Sequence, residues 1–313
     1  MPTLSVPLIA AMFFERFRIH AGPIMSLATD FSAERAKKGQ QIIARVGQTP
    51  SAPQDYDSTD GFFPTPDDAK SLLVDVPITM DQFKTVPIEI PLADSIEATI
   101  DLMQGTVDSA AEVLGKAIFD HAMATILAAN FSGATVLPAA DSDYDMLETV
   151  RKALNAQGAG RSGRFGFVSP DVFTALDDDA RITSKDYRGQ TSDNAYGSFV
   201  GLKGFQNIWE YPDMPATGNL SAFFGNKSAI AVASRLPADI GEYANRLGVV
   251  QTVRMTPITD EETGITLLFV TSQNNKTGDL QVAVAAIYGA AAGKQGGANG
   301  SIMDNAGHRL VTA

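Results

Sequence analysis

Residues Val74–Leu127 read VDVPITMDQFKTVPIEIPLADSIEATIDLMQGTVDSAAEVLGKAIFDHAMATIL, and the change of period inside this stretch decides the fold class. Its start, from Ser71 to Thr79, is extended in pattern, with Leu73, Val74, Val76 and Ile78 set around Pro77. From Asp94 the period lengthens. Apolar residues fall at Ile96, Ile100, Met103, Val107, Ala110, Leu114, Ala117 with Ile118, Ala122 and Ile126, in steps of three and four that mark one face of a helix. Asp94 followed by Glu97 forms a capping pair, and Pro91 keeps the residue before it extended. The spacing predicts a spine helix over 94–130, on the order of 50 Å long at the rise of an α-helix. Gly105 and Gly115 inside it each cost about 1 kcal/mol relative to alanine, and so mark kinks or close contacts.

On the N-terminal side, Gln40 to Val46 reads as a strand with IIARV at its heart. Between the two strand-like runs lies Gly47 to Asp68, rich in proline and aspartate, too long and too structureless for a connection inside a compact domain. Two strands around a long polar tip describe an elongated hairpin that cannot bury itself and needs a neighbour. Phe62 and Phe63, between Gly61 and Pro64, are its apolar anchors. Met1 to Phe14 is apolar but has no basic stretch ahead of the apolar run, and Arg16 and Arg18 follow it, so it reads as a packing arm with Phe13, Phe14 and Phe17 as contacts, not as a signal peptide. Lys37, Lys38 and Gly39 form a helix-stop signal. No apolar run has the length needed to span a bilayer.

Beyond Gly133 the elements shorten. A helix at Tyr144 to Ala156, a strand at Phe165 to Ser169 and a short helix at Pro170 to Leu176, with Ser169 as N-cap, precede a polar loop to Asn194. A strand near Phe205 to Tyr211 and a segment at Ser221 to Arg235 follow. The last third reads as antiparallel β: Gly248 to Met255, Ile265 to Thr271 and Leu280 to Tyr288, with turns at Thr263–Gly264 and Asn274–Gly278. The tail from Gly289 reads as irregular.

Composition narrows the function classes. The chain has 44% apolar and 19% charged residues, enough for a packed core and too little charge for disorder. Cysteine is absent, which excludes disulfides, thiolate catalysis and sulfur-based metal sites. His20, His121 and His308 stand far apart without metal-ligand spacing. Gly158, Gly160 and Gly163 spell G-x-G-x-x-G, but a helix precedes them and a strand follows, the reverse of a dinucleotide site. Gly160-Arg161-Ser162-Gly163-Arg164 lacks the last glycine of a nucleophile elbow. Asp177–Asp179 reads as a solvated helix end, and Asp143, Asp145 and Asp260–Glu262 as turns or caps. Phe165, Phe205 and Trp209 read as core. No catalytic residue, cofactor site or metal site is expected.

The order of elements carries a resemblance. An arm, a projecting hairpin, the run into the spine helix, then ALNAQGAGRSGRFGFVSPDVFTAL (153–176), GLKGFQNIWEYPDMP (201–215) and SAFFGNKSAIAVASRLP (221–237) together resemble the major capsid proteins of tailed bacteriophages, in particular the podovirus-type branch. The likeness runs from about Gly39 to Tyr288 and rests on order and texture. The large inserted domain of some coat proteins of this branch has no room here, and no fused scaffolding region precedes the arm.

The resemblance implies an α+β tailed-phage major capsid fold: an N-terminal arm (1–38), an extended loop (39–77), a peripheral domain (78–140) with return strands (247–290), an axial domain (141–246) and a tail (291–313). It implies that arm and loop reach over neighbouring subunits, that the homo-oligomer consists of hexamers and pentamers, and that a portal is a partner; assembly uses a separate scaffolding protein or none, and a decoration protein is left open. The enclosed DNA is held without sequence-specific binding, which suits a net charge of −12: a shell filled by a motor has no need to grip its contents. The alternatives are an encapsulin-like compartment subunit and an unrelated α/β enzyme.

Overall fold

The computed structural model of the chain describes residues 6–26, 28–30, 41–47, 73–90, 100–138, 141, 143–159, 161–183, 194–195, 198–215, 217–235, 254–260, 262–273, 280–293, 295–296, 302–303 and 307–312. Helix α1 (Val6–Ala21) runs through a 3-10 turn (Gly22–Ser26) into β1 (Ala28–Asp30). Strands β2 (Gln41–Gly47) and β3 (Leu73–Thr79) pair antiparallel from Gln41↔Thr79 to Gly47↔Leu73, so the predicted hairpin forms. β4 (Gln82–Ile90) begins after Met80 and Asp81 and belongs to a different sheet. The spine helix is α2 (Ile100–Met123).

Then come β5 (Ala134–Val136), α3 (Tyr144–Ala156), β6 (Arg164–Val168), α4 (Pro170–Asp178), α5 (Ala180–Thr183), β7 (Asn194–Ala195), β8 (Ser198–Val200), β9 (Asn207–Glu210) and β10 (Leu220–Asn226). The chain continues through β11 (Ile230–Arg235), β12 (Arg254–Thr259), β13 (Thr266–Gln273) and β14 (Leu280–Ala292) to a short pair, β15 (Gln295–Gly296) and β16 (Ile302–Met303), and ends its described part in β17 (Gly307–Val311). Among the described residues one sheet has the order β1-β11-β14-β13-β12 with β4 also on β14, and the other the order β5-β17-β10-β6-β9-β8-β7. This is a mixed α+β architecture.

Several expectations are corrected. The helix ends at Met123 and not at Asn130; Ile126 and Phe131 beyond it are still buried, so the apolar pattern outlasts the helix. The Asp94–Glu97 cap and the Lys37–Gly39 stop lie outside the described residues. Ser221–Arg235 is two strands in two different sheets. The tail is not irregular throughout, because β17 occupies the slot between β5 and β10. Its buried polar groups explain why it stays there: Arg309 Nε donates to Phe131 O (2.8 Å), and the His308 ring meets Thr135 Oγ1 (2.8 Å) and Gln157 Nε2 (3.3 Å). The seven-stranded unit therefore draws on residues outside the predicted 141–246 range, and loses β11 to the other sheet.

Helices α1 and α2 cover one face of the six-stranded sheet. Alternation along the strands aims Val86, Ile88, Leu267, Phe269, Val282, Val284 and Tyr288 at them. Phe13, Phe14 and Phe17 are buried here, and the rings of Phe13 and Phe14 stand edge-on to Phe269 at 5.6 and 6.1 Å. Each such ring contributes about 1.5–3 kcal/mol by burial. The arm expected to reach over neighbours is thus, over 6–26, packed on the chain's own body. Gly115 is the close contact foreseen for one spine glycine: a Cβ there would lie 3.0 Å from His20 Cβ. A second cluster, with Phe119, Ile126 and Phe131 between Phe167 and Phe223 of one sheet and Ile230 and Val232 of the other, makes the two sheets share one core.

Gly289 is the tightest crossing that bears on the hairpin. A Cβ on it would stand 2.0 Å from Thr79 O and 3.0 Å from Met80 Cα, where β3 leaves the hairpin and crosses β14. Gly289→Ala is expected to cost about 1–3 kcal/mol or more in urea unfolding, through overpacking against backbone. Gly105→Ala, with no atom within 4 Å, is expected to be neutral or to stabilise by up to about 1 kcal/mol. Equal effects at the two positions would contradict the crossing.

Candidate assembly surface

The hairpin is amphipathic at its root. Ile42, Val76, Ile78 and Met80 are buried against Ala231 and Ala233 of β11, with Ile287 and Ala291 of β14 packed alongside. The small alanines let the hairpin lie close to the sheet, as Gly289 does. The opposite face carries Ile43 and Pro77, cross-strand partners that both face outward; Ile43 is 50% exposed. Just past the junction, Phe83 on β4 is 64% exposed, the largest exposure among the exposed apolar side chains of the described residues. A β-branched side chain left in water on the hairpin and an aromatic ring left in water just past its junction are what a surface covered by a partner presents. Phe62 and Phe63 lie outside the described residues. Phe13, Phe14 and Phe17 are placed in the chain's own core, away from this surface.

Two charged clasps brace the body behind the hairpin. Arg18 donates to Asp260 Oδ1 through Nε (2.8 Å) and Nη2 (2.5 Å), tying α1 to the β12–β13 turn. Burial pushes the Asp260 carboxyl up, but the hydrogen bonds from Arg18 and Thr263 outweigh it and hold the group below its usual range. The turn itself needs Gly264 at φ +73°, a conformation open to glycine. On the spine helix, Tyr211 donates its hydroxyl to Asp120, Lys116 pairs with Asp213, and the Phe119 and Tyr211 rings lie 4.4 Å apart. Desolvation, with Asp120 beside it, holds the Tyr211 hydroxyl far above its ordinary range, so it remains a donor.

At the far end of the seven-stranded unit, Asp143 caps α3 by accepting from the Asp145 and Met146 amides. Arg181 bridges Asp143 (3.2 Å), Asp145 (3.0 Å) and Asp179 (2.9 Å). Asp179, expected in a solvated run, instead accepts from Tyr144 N (3.1 Å) and Arg181 N (2.8 Å). The Arg181 guanidinium is the main cause that draws its carboxyl down to about 2. Nothing in the local pattern announces this cluster, since Asp179 and Arg181 are brought to Asp143, Tyr144 and Asp145 across 35 residues or more of chain.

Among the described residues no group of three or more His, Asp or Glu is placed to hold a metal ion, and no helix is long and apolar enough to cross a membrane. A shallow groove on the open face of the six-stranded sheet is lined by Pro87, Glu89, Val270, Ser272, Gln281 and Ala283, which include no nucleophile paired with a base. Gly158 and Gly163 lie between α3 and β6 as expected for a helix-to-strand loop. Phe205 is buried, while Phe165 and Trp209 are stacked at 5.6 Å and partly buried against the shared core.

No protein-family model matches the sequence, and no curated protein matches it. Solved structures do. A chain of the capsid of cyanophage P-SCSP1u is similar over 92% of this chain and 86% of its own, with a TM-score of 0.56 at 12% identity. A chain of Mycobacterium phage Che8 gives 91%, 89% and 0.54 at 16% identity, and one from the mature capsid of bacteriophage PhiM1 gives 92%, 86% and 0.53 at 11% identity. The fold is therefore that of the tailed-phage major capsid proteins.

Because the Asp179 carboxyl is depressed in the folded state, its contribution is complete above the ordinary aspartate value and is lost as pH falls from there through about 2. Asp179→Asn is expected to lower stability at neutral pH by about 1–2 kcal/mol in urea titrations. The gap to the parent should close on acidification, and a gap independent of pH would contradict the ion pair.

Proposed function

We propose that the chain is the major capsid protein of a tailed bacteriophage, self-assembling into the hexamers and pentamers of an icosahedral shell that encloses double-stranded DNA, with no catalytic activity. The observation that carries this reading is the pairing of a tailed-phage capsid fold with a hairpin whose root has one face on its own sheet and one in water. The virion is its location and a portal its partner, with assembly on a separate scaffold or on none, and with or without a decoration protein. The encapsulin-like alternative is not favoured, since the similar structures named above come from phages.

The energetics suit a shell. An obligate interface of about 2,000–5,000 Å² supplies on the order of 25–75 kcal/mol of gross apolar stabilisation. Association and ordering remove most of it. A modest net contact is enough, because each subunit is held by several neighbours at once.

Replacing both Phe62 and Phe63 by serine is expected to leave a soluble, folded subunit that gives no shells, or shells that break at lower urea. Normal shells in electron micrographs of the double variant would remove the anchor role. Lys70 is the only lysine in the loop, and the sequence shows no acceptor asparagine placed near it. Mature particles are therefore expected to run as monomer bands on a denaturing gel, and covalent ladders would refute this.

A further inference from the structure

Only Met80 and Asp81 stand between β3, which belongs to the hairpin, and β4, which belongs to the six-stranded sheet. Met80 is buried and its backbone rests on Gly289, so the change of direction is concentrated at this junction. Against it lies His121, in the last turn of α2. The imidazole Nε2 is 3.3 Å from Asp81 Oδ1, yet it is buried and makes no hydrogen bond. The His121 ring meets the Tyr288 ring edge-on at 5.5 Å. The charged and titratable groups around it are Asp81 from the junction, Lys84 from β4, Tyr288 from β14 and Asp120 from its own helix.

We propose that His121 is a proton-operated latch on the Met80–Asp81 hinge: as the neutral imidazole it packs the hinge against the spine helix, and as the cation it releases the hinge so that the hairpin swings relative to β4. A cation in this position would be half-buried, faced by one carboxylate that is itself half in water and opposed by Lys84. The helix C-terminus favours the cation, as does Asp81, but desolvation dominates and holds the imidazole below its ordinary value. A depressed imidazole leaves the closed hinge fully favoured above the ordinary histidine range. That advantage is lost as pH falls through the range toward the lowered value.

The test uses the full chain as an unassembled subunit, so its outcome is independent of shell formation. Hydrogen-exchange protection of residues 73–90, normalised to intrinsic rates, is measured between about pH 7.5 and about pH 5, beside the proton NMR titration of His121. The parent is expected to lose protection severalfold in step with that titration. His121→Phe should keep high protection at all pH values. Asp81→Asn, a change at an exposed side chain, should move the His121 midpoint to lower pH and deepen the loss. An identical loss in His121→Phe, an unchanged midpoint in Asp81→Asn, or a parent whose protection ignores the titration would each overturn the latch.

Discussion

A two-stranded ribbon has two faces, and a chain that covers only one of them leaves the other for something else to cover. That constraint governs this protein. The root of the β2–β3 hairpin is seated on Ala231, Ala233, Ile287 and Ala291, while Ile43 and Pro77 on its other side face water. Small residues beneath the hairpin are part of the same constraint. With alanines and Gly289 under it, the ribbon lies against the sheet closely enough for Thr79 and Met80 to touch the β14 backbone.

From that seat, force has a short route into the body. β3 continues through two residues into β4, and β4 pairs with β14 from Gln82↔Tyr288 to Ile90↔Leu280. Behind this sheet α1 and α2 are packed through Phe13, Phe14, Phe17 and Gly115, and α1 is fastened to the β12–β13 turn by Arg18 and Asp260. Load taken up by the hairpin therefore reaches a core that both sheets share. The charged clasps sit where helices meet strands or turns, positions at which apolar packing alone fixes orientation poorly. A body braced in this way, with Ile43 exposed on the hairpin and Phe83 exposed just past it, suits a subunit that is pulled from several sides at once.

Much of this was legible in the sequence. Steps of three and four from Val107 to Ala122 gave the spine helix, alternation around Pro77 gave β3, and reversed secondary structure around Gly158–Gly163 ruled out a nucleotide loop. The helix end was overrun because Ile126 keeps the helical spacing after the backbone has turned, and burial rather than helicity maintains it. β17 was missed because five residues following an Ala- and Gly-rich stretch carry little pattern; their placement depends on a slot made by β5 and β10, more than 80 residues upstream. Gly289 does carry a signal in the sequence: a lone glycine inside the apolar run LQVAVAAIYGAAA marks a close backbone approach. The Arg18–Asp260 and Arg181–Asp143 pairs had no comparable signal, since charge partners distant in sequence are set by topology.

Electron cryomicroscopy of particles formed by the purified chain tests the central claim most directly, because it shows what covers the outer face of the hairpin. The account predicts closed icosahedral shells in which each hairpin lies across the body of an adjacent copy, with Ile43 and Phe83 in or beside that contact. A chain that stays monomeric at every concentration, with the hairpin folded onto its own body over both faces, would contradict it.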